Sequence, residues 1–188
     1  MRTVFFDVDT QLDFLFPAGA LAVPGAENIV PALDLLTRFA SSHQIPLLST
    51  ADAHSEDDPE FKLWKPHCVA GTAGQQKVAV TLVNQRIVLG STPQEAPQII
   101  IEKQNIDCFT NPNLRPLLQS LGAARYIVYG VASEVCVRCA VFGLLETGVR
   151  VELVTDAIKN LSPAAEKDMI ERFQSAGGQL TTVAAVTS

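Results

Sequence analysis

Short apolar runs alternate with helical stretches along most of the chain, and this alternation constrains the fold more than any other feature of the sequence. Strands that are joined by crossover helices pair in parallel, and the helices cover both faces of the sheet. The sequence therefore predicts an α/β fold with three layers, α/β/α, around a mostly parallel central sheet. Because no linker, repeat or low-complexity segment interrupts the pattern, we expect residues 1–188 to form a single domain.

The individual elements follow from the spacing of the apolar residues. The predicted strands cover 4–8, 45–50, 99–102, 124–129, 151–154 and 180–183, and the predicted helices cover 26–41, 113–121, 136–147 and 163–176. Residues 79–90 favour a small hairpin that turns at Asn84 and Gln85. Gly148 is typical of the left-handed residue that ends a helix, so we expect it to stop the third predicted helix.

The composition indicates a compact, acidic, globular protein. Hydrophobic residues make up 47% of the chain and charged residues 18%, and the formal net charge is −6. Since Lys and Arg are scattered, this balance argues against a nucleic-acid-binding protein. No apolar run reaches the ~18 residues of a membrane span, and the first residues lack the apolar run of a signal peptide. We therefore expect a cytoplasmic protein that binds neither nucleic acid nor membranes.

Chemically useful side chains follow four of the predicted strands. They are Asp9, the pair Asp52 and His54, Lys103, and Cys136. In open α/β sheets, ligands bind beyond the carboxyl ends of the strands. We therefore expect these side chains to lie at one edge of the sheet and to form a common site.

Cys136 occupies a turn between a predicted strand and a predicted helix. Free N–H groups at a helix N-terminus stabilise a thiolate, so we expect the pKa of Cys136 to fall from ~8.5 toward neutrality. The same N–H groups would bind the oxyanion of a tetrahedral intermediate. Cys136 is therefore a candidate nucleophile, and the alternative is a small buried core cysteine, which Cys139 resembles more closely. The spacing of these two cysteines also leaves open a redox pair, although such pairs in thioredoxin-like proteins follow the first strands.

Two more residues suit the chemistry of a cysteine nucleophile. Asp9 is a candidate base for the thiol proton, or else a carboxylate that caps a loop. Lys103 is a candidate partner that keeps Asp9 charged and favours the thiolate, or else an ordinary solvated lysine.

A metal site is predicted after the second strand. Asp52 and His54 are two residues apart, so both side chains point the same way from an extended strand end. Glu60 and His67 follow in a polar segment. Two imidazoles with one or two carboxylates suit Zn²⁺, with Mn²⁺ or Fe²⁺ as alternatives. A surface loop with solvated histidines is the other interpretation, and Cys68 is a rival ligand.

Four sequence blocks together resemble the isochorismatase-like cysteine hydrolases, and within them the nicotinamidase/pyrazinamidase group. The blocks span nearly the whole chain, and Lys103 stands where the family lysine is found. They are Asp9-Thr10-Gln11-Leu12-Asp13-Phe14 with the following Gly19–Ala26 segment, Asp52-Ala53-His54, Trp64-Lys65-Pro66-His67-Cys68 with the following 69–74 segment, and Gly130-Val131-Ala132-Ser133-Glu134-Val135-Cys136-Val137.

The resemblance implies specific roles for these residues. Asp9 would be the base, Lys103 its electrostatic partner and Cys136 the nucleophile. The metal ligands would be Asp52, His54, Glu60 and His67. A cis peptide bond would join Val131 and Ala132, the N–H groups of Ala132 and Cys136 would form the oxyanion hole, and Phe14, Trp64 and Val131 would contact a flat substrate ring.

The expected reaction is hydrolysis of a small-molecule amide, nicotinamide, to nicotinate and ammonia through a thioester on Cys136. Ala53 and the Ser133-Glu134 pair depart from the nicotinamidase pattern, and the latter is nearer the wider family. Hydrolysis of another small amide or carbamoyl compound therefore stays open, as does a non-catalytic binding protein of the same fold. Related enzymes commonly form oligomers, so the resemblance also leaves a homo-oligomer open.

Overall fold

The computed structural model describes residues 2–89 and 96–188, and within them seven strands form one sheet in which every pair is parallel. The order across the sheet is β3-β4-β2-β1-β5-β6-β7. This confirms the predicted α/β class with a parallel sheet. The strands are β1 (Thr3–Val8), β2 (Leu47–Asp52), β3 (Arg86–Val88), β4 (Gln98–Lys103), β5 (Arg125–Val131), β6 (Arg150–Lys159) and β7 (Gln179–Thr181).

Helices cover both faces of the sheet. They are α1 (Leu12–Leu15), α2 (Val30–Ser42), α3 (Leu114–Leu121), α4 (Arg138–Leu145), α5 (Pro163–Ser175) and α6 (Val183–Val186). Alternate residues of β1 face opposite layers, because Phe6 packs with α3, α4 and α5 whereas Phe5 packs with α1, α2 and α6. The three layers are therefore as predicted. Within the described ranges, no helix combines the length and apolarity that a membrane crossing requires.

The predicted hairpin at 79–90 is wrong. Residues Ala79–Thr81 form a 3-10 helix, and β3 pairs in parallel with β4. The backbone forms hydrogen bonds to other parts of the chain and not across a hairpin. The N–H of Val78, just before the segment, donates to the carbonyl of Thr10, and the N–H of Val83 donates to the side chain of Gln98. Gly90, the last residue of the predicted hairpin, lies outside the described residues.

Three predicted boundaries also change. The segment 26–41 divides into a 3-10 helix at Ala26–Ile29 and α2, and a π-helical turn at Ser133–Val137 precedes α4. The last strand ends at Thr181 because the Thr182 side chain accepts a hydrogen bond from the N–H of Ala185 and so begins α6. Gly148 has the left-handed φ of 75° that was predicted for it.

Gly130 allows β5 to run closely against β1. A Cβ atom at this position would lie 2.0 Å from the carbonyl oxygen of Val8, and the residue has a φ of +123°. Only glycine fits such an approach. The carboxyl ends of the two central strands are therefore held together where Asp9 and the turn of Cys136 begin.

Candidate active site and metal centre

The four adjacent strands β4, β2, β1 and β5 carry the predicted site residues at their carboxyl ends. Lys103 ends β4, Asp52 ends β2, Asp9 follows β1, and the turn of Cys136 follows β5. The expected convergence at one sheet edge is confirmed, and these side chains form one buried cluster.

Lys103 connects the members of this cluster. Its ammonium group lies 2.9 Å from Asp9 Oδ2, is 3.8 Å from Cys136 Sγ and donates a hydrogen bond to Asp52 Oδ1. The side chain is 1% exposed, so these carboxylates replace water as its partners. Burial alone would lower the pKa of Lys103, but the charges of Asp9 and Asp52 raise it well above its ordinary value. Lys103 is therefore a fixed positive charge.

Asp9 is held with one oxygen engaged and the other free of hydrogen bonds. Thr50 Oγ1 donates to Asp9 Oδ1 at 2.6 Å, while Oδ2 has the charge of Lys103 beside it but accepts no hydrogen bond from the described residues. Burial raises the pKa of Asp9 above its ordinary value, and the charge of Lys103 opposes this rise without reversing it. A carboxylate with a raised pKa and a free oxygen is suited to accept a proton.

Cys136 lies in the π-helical turn Ser133–Val137, and its thiol is buried. Burial raises the pKa of the thiol well above its ordinary value, although the charge of Lys103 lowers it. The expected fall of this pKa toward neutrality is therefore wrong. The sulfur is withdrawn from water and has the negative charges of Asp9 and Asp52 nearby, and both effects favour the neutral thiol. The resting thiol keeps its proton and needs a base.

The peptide bond between Val131 and Ala132 is cis, as the resemblance implied. The carbonyl of Ala132 accepts hydrogen bonds from the N–H groups of Val135 and Val137 at 3.1 and 3.2 Å. Among the described residues, the N–H of Ala132 has no hydrogen-bond acceptor of its own. It is therefore available to an oxygen of a ligand beside Cys136.

Two carboxylates attach this turn to the segment after β6, one to the loop before α5 and one to α5 itself. Glu134 accepts hydrogen bonds from the N–H of Leu161 at 3.0 Å and of Ser162 at 2.6 Å. Glu166 accepts one from Ser133 Oγ at 2.8 Å. In the Ser133-Glu134 pair, which departs from the nicotinamidase pattern, Glu134 thus fixes the backbone of Leu161 next to the nucleophile turn and Ser133 joins the turn to α5.

The predicted metal ligands come together beside this cluster. Ligand atoms of Asp52, His54 and His67 all lie within 4.8 Å of one another. Asp52 Oδ2 is 3.8 Å from His54 Nε2 and 3.7 Å from His67 Nε2, and Glu60 Oε1 is 4.0 Å from each imidazole nitrogen. Cys68 is buried elsewhere, where its N–H donates to Asp13, and it takes no part in this group.

The surroundings of the two histidines fit a bound ion. His54 Nδ1 is 3.0 Å from Asp58 Oδ2, and His67 Nδ1 is 2.7 Å from the carbonyl of Lys65, so both rings present Nε2 to the carboxylates. His54 Nε2 is buried and has no hydrogen-bond partner among the described residues, which is costly unless a ligand occupies it. Burial alone would lower the pKa of His54, but Asp52, Asp58 and Glu60 raise it to about 9.

Gln11 positions the backbone of Asp52. Its side-chain amide donates to the Asp52 carbonyl at 2.8 Å and to the Gln75 carbonyl at 2.7 Å, and its oxygen accepts from the Asp52 N–H at 2.7 Å. Burial alone would raise the pKa of Asp52, but the charge of Lys103 and hydrogen bonds from His54 and Lys103 hold it well below its usual range. Asp52 is therefore a charged candidate ligand that is fixed at both its backbone and its side chain.

A cleft with a cavity volume of about 40 Å³ opens above Cys136 and the predicted metal ligands. It lies beyond the carboxyl ends of the strands, where ligands bind in such sheets. All three residues predicted to contact substrate line it, and the full lining is Phe14, Leu21, Val23, Asp52, Glu60, Trp64, His67, Ile106, Val131, Ala132, Val135, Cys136 and Leu161. Asp9, His54 and Lys103 do not line the cleft; each is buried behind the residues that do.

Sequence reasoning missed several residues of the site. Gln11 stands in the first sequence block, and its side chain would have been identified only by asking what holds Asp52. Asp58 lies in the acidic loop before Glu60 and gave no signal beyond its charge. Leu161 and Ile106 had no signal, since single apolar residues in loops are common.

The chain is similar in sequence to proteins of one known family. A family model described as Isochorismatase domain matches residues 3–185. A "Probable inactive nicotinamidase" from Arabidopsis thaliana is 23% identical over 172 residues, which cover 86% of this chain and 83% of the relative.

Two solved structures are similar over nearly their full length. The crystal structure of the pyrazinamidase of Pyrococcus horikoshii in complex with zinc has a TM-score of 0.83 and 28% identity, and the match covers 97% of this chain and 99% of that one. The N-carbamoylsarcosine amidase from Thermoplasma acidophilum has a TM-score of 0.76 and 25% identity, with 97% of each chain covered.

Proposed function

The chain belongs to the isochorismatase family, and on that premise we propose that it is a metal-dependent cysteine amidohydrolase that converts nicotinamide and water to nicotinate and ammonia. The observation that carries the proposal is the position of Lys103. Its one ammonium group contacts the candidate base Asp9, the candidate nucleophile Cys136 and the candidate metal ligand Asp52. Chemical groups for attack, proton transfer and substrate binding are thus within one buried cluster.

The reaction begins with transfer of the thiol proton from Cys136 to Asp9 as the sulfur attacks the carboxamide carbon. The N–H groups of Ala132 and Cys136 stabilise the oxyanion that forms. Asp9 then gives its proton to the departing nitrogen, the C–N bond breaks, and ammonia leaves a thioester on Cys136. A water molecule, deprotonated by Asp9, attacks the thioester and releases nicotinate, and the thiol regains the proton. Lys103 stays charged throughout and stabilises the anionic form of either partner.

Asp52, His54, Glu60 and His67 would hold the metal ion, and Zn²⁺ suits this set of nitrogen and carboxylate donors. When bound, the ion would supply a positive centre for the ring nitrogen of the substrate beside Cys136. Phe14 and Trp64 line the same cleft and provide aromatic surface for the flat ring.

Ammonia release from nicotinamide tests the proposal directly. Metal-loaded wild-type protein should release ammonia, and Cys136→Ala should lower the rate at least ~10⁴-fold because the nucleophile is lost. Cys139→Ala is the matched control and should keep most of the activity, since Cys139 does not line the cleft. The absence of turnover by the wild-type protein would contradict the assignment of nicotinamide.

A second candidate keeps the chemistry and changes the substrate to another small amide or carbamoyl compound. The contact of Glu134 with the loop that carries Leu161 favours it, because this contact involves the residues that depart from the nicotinamidase pattern. Turnover of a carbamoyl compound in preference to nicotinamide would support this candidate.

A further inference from the structure

We propose that Glu134 and Glu166 are positioning residues, which hold Cys136 in its reactive place by fastening the nucleophile turn to the N-terminus of α5. We call this contact the α5 clasp, and it consists of Ser133, Glu134, Glu166 and the backbone of 161–162. The proposal rests on the proposed function, since it concerns what positions the same nucleophile. Neither carboxylate lines the cleft, so each would act through the turn and not on a substrate.

The hydrogen bonds of the α5 clasp run in both directions. Glu134 belongs to the turn, and its Oε1 accepts from the N–H of Leu161 at 3.0 Å and from that of Ser162 at 2.6 Å. Glu166 belongs to α5 and accepts from Ser133 Oγ at 2.8 Å. Ser133 is fully buried, so its hydroxyl depends on Glu166 for a partner. The turn therefore cannot shift against α5 without breaking hydrogen bonds on both sides.

The helix α5 is a suitable anchor for a carboxylate. Ser162 is the N-cap residue of this 13-residue helix, so Glu134 lies at its N-terminus. Free N–H groups and the positive end of the helix dipole stabilise a negative charge there. Met169 and Phe173 bury the other side of α5 in the core of the protein. The α5 clasp thus connects the nucleophile turn to an element that is packed on the sheet.

The α5 clasp joins the nucleophile to a wall of the cleft. Cys136 follows Glu134 by two residues in the turn, and Leu161 lines the same cleft as Cys136. The thiol has to pass its proton to Asp9 while the sulfur attacks, and a displacement of about 1 Å can slow such a reaction ~100-fold. Loosening the α5 clasp should therefore slow hydrolysis although every reacting group is still present.

Three substitutions of Glu134 separate its position from its charge. Because Oε1 alone accepts the two shorter hydrogen bonds, Glu134→Gln keeps an acceptor in the same place, whereas Glu134→Asp keeps the charge on a side chain that is one methylene shorter. Ammonia release should stay within ~3-fold of the wild-type rate for Glu134→Gln and fall ~10–100-fold for Glu134→Asp and Glu134→Ala. The reverse order of the Gln and Asp variants, or full activity of the Asp and Ala variants, would overturn the proposal.

Alkylation by iodoacetamide tests the position of Cys136 without substrate turnover. The sulfur forms a bond to carbon, iodide leaves and the thiol proton goes to solvent. The surroundings of Cys136 hold its pKa above the ordinary value, so a thiol that is released from them reacts faster. Glu134→Ala should raise the rate at Cys136 about tenfold. An unchanged rate would contradict the proposal.

Cys108 reports whether the variant opens locally or as a whole. It is 1% exposed and lies in the 3-10 helix Cys108–Thr110, away from the turn in the sequence. Site-resolved mass spectrometry follows it beside Cys136. In Glu134→Ala, Cys108 should stay protected; an equal rise at both cysteines would mean that the whole fold is loosened and would overturn the proposal.

The Glu166 side of the α5 clasp has a matched control in the same helix. Glu166→Ala should raise the alkylation of Cys136 as Glu134→Ala does. Glu171→Ala removes the same charge from α5, but the Glu171 side chain is 65% exposed and pairs with Lys167 at 3.8 Å, so the rate should not change. An equal effect of the Glu166 and Glu171 variants would show an influence of helix charge and would overturn the proposal.

The two assays keep this proposal apart from the proposed function. Faster alkylation of Cys136 in Glu134→Ala, in a protein that does not hydrolyse nicotinamide, would refute the substrate and support the α5 clasp. Hydrolysis of nicotinamide by the wild-type protein, with unchanged alkylation and activity in Glu134→Ala, would do the reverse.

Discussion

Two buried lysines neutralise carboxylates inside this protein, and they differ in what lies next to them. Lys103 contacts Asp9 and Asp52 and is close to Cys136. Lys77 pairs with Asp7 at 3.0 Å and donates a hydrogen bond to the carbonyl of Thr50. Among the described residues, its ammonium group has no hydrogen bond to the thiol of Cys136. Variants of the two lysines can therefore separate the effect of a buried charge on stability from its effect on the reactivity of Cys136.

Lys103→Met should lower the free energy of unfolding by about 3–5 kcal/mol, because it leaves buried carboxylates without a partner. Urea denaturation measures this loss. The variant should also slow the alkylation of Cys136 at pH 8, since the charge of Lys103 lowers the pKa of the thiol and its loss raises that pKa further.

Lys77→Met is the matched control for this prediction. It should be destabilised by a similar amount, because Asp7 is also fully buried. Its rate of Cys136 alkylation should equal that of the wild-type protein. Equal slowing in both variants would mean that Lys103 acts only on stability.

In the metal-free protein, His54 should make the free energy of unfolding depend on pH. Its pKa is raised to about 9, above the ~6.5 of an unperturbed histidine. The folded state therefore holds the proton more tightly, and this stabilisation is complete below pH ~6.5 and is lost as the pH rises through about 9. The free energy of unfolding should fall over this window by at most about 3 kcal/mol. A His54→Gln variant whose unfolding has the same slope would contradict the assignment.

Among the elements, the 3-10 helix Pro59–Lys62 carries Glu60, one of the predicted metal ligands. Its N-cap residue Asp58 accepts a hydrogen bond from the N–H of Glu60 at 2.8 Å and also orients His54 through Nδ1. One carboxylate therefore positions two of the four predicted ligands, and the position of Glu60 depends on this short element.

Asp58→Asn should weaken metal binding by about 10–100-fold, because an amide cannot stabilise the imidazole as a carboxylate does. Competition with a coloured chelator measures the dissociation constant. Asp57→Asn is the control, since Asp57 is exposed in the same loop and its side chain accepts a hydrogen bond from Ser55. If the two variants lose the same affinity, the effect is one of net charge.

The spacing of apolar residues predicted most elements of this fold, because a strand or helix that buries one face has apolar residues at its own period. The prediction failed at 79–90, because the N–H of Val83 and that of the preceding Val78 donate hydrogen bonds to groups far away in the sequence. It also failed at Val183, where the side chain of Thr182 caps the start of a helix. Positions after strands predicted Asp9, Asp52, His54, Lys103 and Cys136 as site residues, whereas the polar segment after His54 and the family resemblance predicted Glu60 and His67. The apolar lining at Leu161 and the raised pKa of Cys136 were not, because both depend on what surrounds a residue in three dimensions.

At the scale of the whole molecule, a metal ion should stabilise the fold, because its ligands are brought together only in the folded state. At a free Zn²⁺ concentration about 100-fold above the dissociation constant, the free energy of unfolding should rise by about 2.7 kcal/mol. Denaturation with and without the ion measures the difference. His67→Gln should abolish it, whereas His43→Gln should not, since His43 is exposed at the end of α2. Equal stabilisation of both variants would place the ion elsewhere.

The order of the strands has a consequence for synthesis on the ribosome. β1 is hydrogen-bonded between β2 and β5, and β5 begins only at Arg125. Until that segment has been translated, one side of β1 is an open edge flanked by Phe5 and Phe6, which is a template for pairing with another nascent chain. We therefore expect translation up to residue 131 to be the period when this protein is most prone to aggregation and most dependent on chaperones.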